Sequence, residues 1–420
     1  MNYSFPFKLT KTGKFTKAFP QSDQKLKPSS LKKSLTVQII LFTFIRMVTS
    51  TAYRMVYPFL PAFRDGLGVP LETLARAVGS RSLVAAFFAP LLSSFAESRG
   101  RKFGMLLGMI IFVLGTAIVV FWPTFYGFML ALMFALVGKV TFDPTMQAYL
   151  ADRVPYERRS FAITITELSW SGAFIIGIPL VGWVIASLDW LAPFPLLGIL
   201  ILLAALLLGF QLPRDLPKTA ASPSLWSNFG MILRSRPALA AMGLTVFSCI
   251  ANEFINLTFG VWMEDSFGLQ LVALGWTAAV LGTAELSGEG LVVWITDRLG
   301  KRRAIFIGLV VNSLAVLSLP ILSSSLAAAI FGLFMFYISF EFLIVSSIPL
   351  MTEVLPSARA TMMAGFFTAA SVGRAFAGWI ALDIYALGFL STVAATVAFN
   401  LLAILSIRGL RIPAEDVLRG

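Results

Sequence analysis

Of the 420 residues 58% are hydrophobic and 13% charged, about half the charged share of a soluble domain, which excludes an ordinary water-soluble globule. Twelve membrane helices of ~20 residues each use about 240 residues, which the apolar content can supply, whereas an outer-membrane barrel would need a period-2 alternation that the long apolar runs lack. Cys249 is the one cysteine and there is no His, so neither an intrachain disulfide nor a zinc, haem or iron–sulfur ligand set is expected, no cofactor or metal is expected, and any proton handled near neutral pH must ride on a carboxylate.

In chain order, residues 1–34 form an arm with eight Lys, one acid and no Arg. It has no apolar core and is read as a cytoplasmic arm, with a lipid-binding or transit segment as the alternatives; transit peptides favour Arg. Six apolar spans follow: Leu35 to Phe63, Leu71 to Ala96, Gly104 to Trp122, Thr124 to Leu150, Phe161 to Leu188 and Trp190 to Leu212. A polar linker occupies 213–237. Six more spans run Ala238 to Trp262, Leu271 to Thr296, Ala304 to Leu322, Leu326 to Thr352, Thr361 to Ile380 and Gly388 to Ile407. The predicted units are an N-terminal half, 35–212, a C-terminal half, 238–407, and a cytoplasmic tail, 408–420. The fold class is therefore all-α, a polytopic membrane protein of twelve helices.

The net charge of +12 would suggest nucleic acid in a soluble chain, but its distribution points elsewhere. With both termini placed in the cytoplasm, 26 of the 33 Lys and Arg fall in inner segments, and the short outer connections carry mainly acids such as Asp189, Glu264 and Asp265. This is the positive-inside pattern, so the basic charge is an orientation signal in an inner or plasma membrane of bacterial type. No nucleic-acid partner is expected.

The connection after the second span reads Glu97-Ser98-Arg99-Gly100-Arg101-Lys102, and that after the eighth reads Asp297-Arg298-Leu299-Gly300-Lys301-Arg302, an offset of 200. Asp152 with Pro155 and Arg158 after the fourth span is matched by Glu353 with Pro356 and Arg359 after the tenth, an offset of 201. Two motifs repeated at one period imply a duplicated six-helix unit, and an even number of spans makes the halves parallel repeats about an axis along the membrane normal. Acid, glycine and base at these helix ends are read as gating residues. The acid can meet the N-terminal dipole of a neighbouring helix, with Glu97 expected near Thr361 and Asp297 near Ser160 and Phe161, and the glycine permits the reversal.

On these loop motifs the sequence resembles the major facilitator superfamily over essentially the whole stretch from first to twelfth span. The first copy departs from the family pattern at Ser93, Glu97 and Ser98, and the second at Val293. Gly172, Gly177, Pro179 and Gly182 look like part of the glycine–proline motif of the family's drug–proton antiporters, although such residues also serve plain helix packing. The resemblance implies rocking of two halves about a central site, with the first, fourth, seventh and tenth spans lining it.

Charges inside spans mark functional candidates. Arg46, Ser50, Tyr53, Arg54 and Tyr57 form one polar stripe on the first span. Its guanidinium groups either grip an anionic substrate or pair with buried Glu residues. Lys139 sits four residues before Asp143, as a local pair or a substrate contact. Glu285 and Glu289 share a face, so one of them is expected to hold a proton unless a base such as Arg374 is near. Glu253, flanked by Asn252 and one turn from Asn256, and Glu341, one turn from Tyr337, lie on spans the resemblance places at the cavity. The reading is a secondary transporter, not an enzyme. It moves a small anionic or zwitterionic solute by alternating access, coupled to protons through Glu253, Glu341, Glu285 or Glu289, with substrate contacts from Arg46, Tyr53, Arg54, Tyr57, Lys139, Asn252 and Asn256. Its partners are the solute, the proton and the bilayer, and a monomer is expected. Multidrug or lipophile efflux by the same helices is the alternative, with facilitated diffusion, lipid movement or a non-transporting receptor also open.

Overall fold

The computed structural model describes residues 28–213, 225–355 and 358–410. No strand occurs among them. The helices are α1 Pro28–Arg54, α2 Leu60–Leu67, α3 Leu71–Arg99, α4 Arg101–Phe121, α5 Phe125–Arg153, α6 Tyr156–Glu167, α7 Ser169–Gly172, α8 Ile178–Ser187 and α9 Pro193–Gln211. After the linker come α10 Leu225–Arg234, α11 Arg236–Phe267, α12 Leu271–Leu291, α13 Asp297–Leu299, α14 Lys301–Leu322, α15 Leu326–Val354, α16 Arg359–Tyr385 and α17 Phe389–Ile407. Eleven helical segments are long and apolar enough to cross a membrane. With α3, which is 29 residues long and carries Glu72, Arg76 and Arg81, they make up the twelve expected spans.

Three of those spans are broken or loosened where the sequence reading has them continuous. The first ends at Arg54 because Pro58 has no N–H to offer the Arg54 carbonyl, which accepts the Tyr57 N–H at 3.2 Å instead. The helix resumes only at Leu60. In the fifth, the α-helical pattern loosens into a π-helical stretch at Ala173–Gly177 before Pro179, and the eighth does the same at Val292–Thr296. The linker is also more than a polar break. Its helix α10 buries Ile232, whose Cδ1 lies 3.0 Å from where a Cβ on Gly365 of α16 would sit, and Ile232 shares a small apolar core with Leu244, Ile305, Leu350 and Met362 in the C-terminal half.

The repeat seen in the sequence recurs in the backbone. Gly68 and Gly268 both cap helices at φ 63°, and Thr124 and Ser325 both cap the helices that follow them, each accepting an N–H three residues on. Gly100 at φ 107° and Gly300 at φ 79° make the reversals between α3 and α4 and between α13 and α14, a region that side chains disfavour. We call the end carrying these two loops and the linker the basic end.

The two halves meet along α3 against α16 and α8 against α12. Toward the far end, a Cβ on Gly79 of α3 would lie 3.0 Å from the Gly378 Cα of α16, so the two backbones pass in direct contact. Arg76 donates to Asp383 at 3.0 Å, and Arg64 reaches Glu264 across the halves at 3.5 Å. Among the described residues these polar clasps lie at the far end, while at the basic end Phe161, Val293 and Trp294 are exposed.

Candidate functional site

Between the halves lies a cavity of about 130 Å³, smaller than the 300–1,000 Å³ of a drug-sized pocket. Tyr53 and Arg54 from α1, Tyr57 from the turn after it, Trp170 of α7 and Phe174 of the π-helical stretch form its wall in the first half. The second half supplies Asn252 and Asn256 from α11, Glu285 from α12, Phe340, Glu341 and Ile344 from α15, and Arg374 from α16. The breaks after Arg54 and before Ile178 therefore lie at the cavity. A helix that loosens there turns its carbonyls and side chains toward the space, as irregular backbone at membrane depth does only where it is buried in protein or lines a cavity.

The polar stripe of the first span is split between two environments. Arg46 forks onto Glu167, with Nη1 to Oε1 at 2.6 Å and Nη2 to Oε2 at 2.9 Å, and its Nε lies 3.4 Å from Asp143. Lys139 donates to Asp143 at 2.7 Å, and Gln147 donates to Glu167 at 2.9 Å. Arg46, Lys139, Asp143 and Glu167 thus make a neutral cluster within the first half, and neither Arg46 nor Lys139 reaches the cavity wall. The stripe lies on one helical face, but α5 and α6 cover its Arg46 end.

Arg54 does reach the cavity, and its charge is taken. Both of its terminal nitrogens pair with the Glu285 carboxylate, one at 2.7 Å, and Nη1 also donates to the Trp170 carbonyl at 3.2 Å. The base beside Glu285 is therefore Arg54, where the sequence suggested Arg374. Glu289 meets the Ser171 hydroxyl at 3.4 Å across the halves. Glu253 accepts from Tyr57 at 2.8 Å and from Asn256 at 3.2 Å, with Arg374 Nε 3.9 Å away. Asn256 in turn donates to Asn252 and accepts from the Tyr337 hydroxyl at 2.7 Å.

Glu341 differs from the other carboxylates. It is 9% exposed, on the cavity wall, and among the described residues it has neither a hydrogen bond nor a base within ion-pair distance. Arg81 completes the layer behind the wall. Fully buried, it donates to the Tyr53 carbonyl at 3.0 Å and the Tyr57 hydroxyl at 3.1 Å and lies over the Tyr53 ring.

The sequence marks Arg81 as a candidate by its charge inside a span but not its place behind the tyrosines, and it does not mark the apolar wall of Trp170, Phe174, Phe340 and Ile344. Trp170 and Phe174 stand four apart, three and seven residues after Glu167, but among the apolar residues of a membrane span such spacing does not tell a cavity face from a lipid face.

Of the expected gating residues, Arg101 approaches Asp152 at 3.5 Å, and its repeat partner Lys301 pairs with Glu353. The structure thus joins the two repeated motifs, once in each half. Arg158, Arg298 and Arg359 are exposed. The side chains of Glu97, Asp297 and Ser160, on which the expected clip rests, lie outside those described.

Comparison with known proteins agrees with this architecture. The Major Facilitator Superfamily profile matches residues 42–378 and 241–416. The chain is 23% identical over 349 residues to the uncharacterized MFS-type transporter YceJ of Bacillus subtilis (strain 168), covering 82% of this chain and 89% of that one. It is 24% identical over 353 residues to the multi-drug resistance efflux pump PmrA homolog of Lactococcus lactis subsp. lactis (strain IL1403), covering 79% and 85%. A crystal structure of a POT family transporter in complex with a thioalcohol-conjugated peptide superposes with a TM-score of 0.72 at 13% identity, covering 91% of this chain and 95% of that one. The twelve-helix repeat, the paired loop motifs and the cavity between the halves, together with these matches, place the chain in the Major Facilitator Superfamily as a membrane transporter.

Proposed function

We propose that this transporter exports small amphipathic organic molecules, weakly basic or cationic, in exchange for protons, by alternating access of its two halves to the central cavity. One observation carries the reading. Glu341 is the carboxylate on the cavity wall without a base or hydrogen-bond partner among the described residues, and aromatic and aliphatic side chains share that wall with it. Ionised, it attracts a cation that enters the cavity; protonated, it does not. A proton on Glu341 and a cation in the same cavity then oppose each other, which is the linkage an exchanger needs.

The alternative of an anionic or zwitterionic substrate held by Arg46 and Arg54 has less support, because each guanidinium is already forked onto a carboxylate and Arg46 lies off the cavity. Relatives named as a multi-drug resistance efflux pump homolog and a multidrug resistance protein support export of organic molecules. The charge distribution supports a cytoplasmic basic end, and the clasps at the far end then correspond to an outside-closed state with the cavity offered to the cytoplasm.

The test is transport in proteoliposomes with an imposed pH gradient and ethidium as the probe. Glu341→Gln should abolish gradient-driven accumulation and leave ethidium exchange measurable. Gradient-driven accumulation that survives in Glu341→Gln would remove Glu341 from the coupling scheme.

A further inference from the structure

The Arg54 guanidinium occupies an unusual seat for a helix side chain. Its central carbon stands 3.4 Å from the Phe174 ring centroid and 4.3 Å from that of Trp170, while its nitrogens fork onto Glu285 and donate to the Trp170 carbonyl. Two aromatic faces, a carboxylate in the plane of the fork and a carbonyl at its edge are the elements that recognise a free planar organic cation. The seat spans the interface, since Arg54, Trp170 and Phe174 belong to the first half and Glu285 to the second. It also forms part of the cavity wall, which is small as it stands.

We infer that Arg54 is a tethered surrogate for the substrate cation: a guanidinium- or amidinium-like head group binds by displacing the Arg54 side chain from Glu285, Phe174 and Trp170. This rests on the cationic-substrate reading above and identifies both the head group and its seat. Without substrate, the tethered cation neutralises Glu285 and holds the halves together. With substrate, the seat is filled by a cation not covalently attached to α1, and the link between halves passes through the ligand. A flat, delocalised cation fits this seat better than a compact ammonium, which presents no rigid planar fork to the carboxylate and no flat face to the rings.

A tethered competitor acts at an effective concentration of about millimolar, so its removal should uncover a tighter site. Phenylguanidinium titrated calorimetrically into the full-length protein in nanodiscs should bind Arg54→Ala and Arg54→Gln about tenfold or more tightly than the wild type. Adding Glu285→Gln to Arg54→Ala should erase that gain. Millimolar methylguanidinium during purification should raise the yield of folded Arg54→Ala, by refilling the seat. Equal or weaker phenylguanidinium binding in both Arg54 variants would overturn the inference. So would failure to recover either variant folded even in methylguanidinium. If the wild type moves no organic cation in liposomes but the Arg54 variants gain affinity, the transport reading fails and the seat stands. If transport is found without the gain, the seat fails alone.

Discussion

At the scale of the residue, the clustered charges inside the first half are paired, whereas Glu341 on the cavity wall has no base or hydrogen-bond partner among the described residues. Arg46 offsets Glu167 and Asp143 inside the first half, so Arg46→Ala should act as a stability lesion. Removing one partner of a buried pair costs about 3–5 kcal/mol, with the lower figure apt here because the Glu167 side chain is 41% exposed. A lower melting temperature with unchanged cation affinity in the folded fraction is the expected outcome, checked by thermal unfolding and ligand titration on the same preparation; lost affinity at unchanged stability would return Arg46 to the substrate site. Glu341 stands at the opposite extreme, and its Gln variant should separate coupling from exchange. The presence of these charges in the spans is plain in the sequence, and their spacing identifies Lys139 with Asp143 as a local pair. Which base meets which acid was not legible, because Arg54 and Glu285 are 231 residues apart and meet only when the two halves close.

At the scale of the element, the boundaries of the spans and the two-hundred-residue repeat were readable because apolar length and loop chemistry are local properties. The breaks in the first and fifth spans were not read, although Pro58 and Pro179 are there in the sequence, since a proline in an apolar run is compatible with either a kink or a stop. Those breaks bring Arg54, Tyr57 and Phe174 to the cavity. The contact of α3 with α16 gives a prediction at this scale. A side chain on Gly79 would collide with the Ala375 carbonyl at 2.7 Å and with Gly378, so Gly79→Leu should disfavour the far-end-closed state. Labelling of a cysteine placed at Ser80 by a membrane-impermeant maleimide from outside should accelerate severalfold over the same cysteine beside a native Gly79. No change in rate would mean that the α3–α16 contact does not gate that end. The pairing of Lys301 with Glu353, repeated by Arg101 with Asp152, predicts that Glu353→Lys lowers transport and that Lys301→Glu in the same chain restores part of it. Independent losses in the two single variants, with no recovery in the double, would mean that the pair does not act as one unit.

At the scale of the whole molecule, duplication places three cations and a phenol of one half against the other half's carboxylates. Arg54 with Glu285, Tyr57 with Glu253, Arg64 with Glu264 and Arg76 with Asp383 all cross the interface. Each such contact is made in one arrangement of the halves and must be exchanged for another when the halves rock, which is how protonation or ligand binding at a few groups can bias a global equilibrium. The orientation follows from the loops: a reporter fused at Gly420 should be found on the cytoplasmic side, and an external location would invert the direction of transport proposed here. Exchange of organic cations for protons is decided by ethidium flux in proteoliposomes of known orientation, with and without an imposed pH gradient, compared with an organic anion panel. Gradient-driven accumulation of the cation is expected for the wild type and none for Glu341→Gln, with exchange retained in that variant and no flux of the anions. Gradient-driven transport of anions but not of ethidium would contradict it.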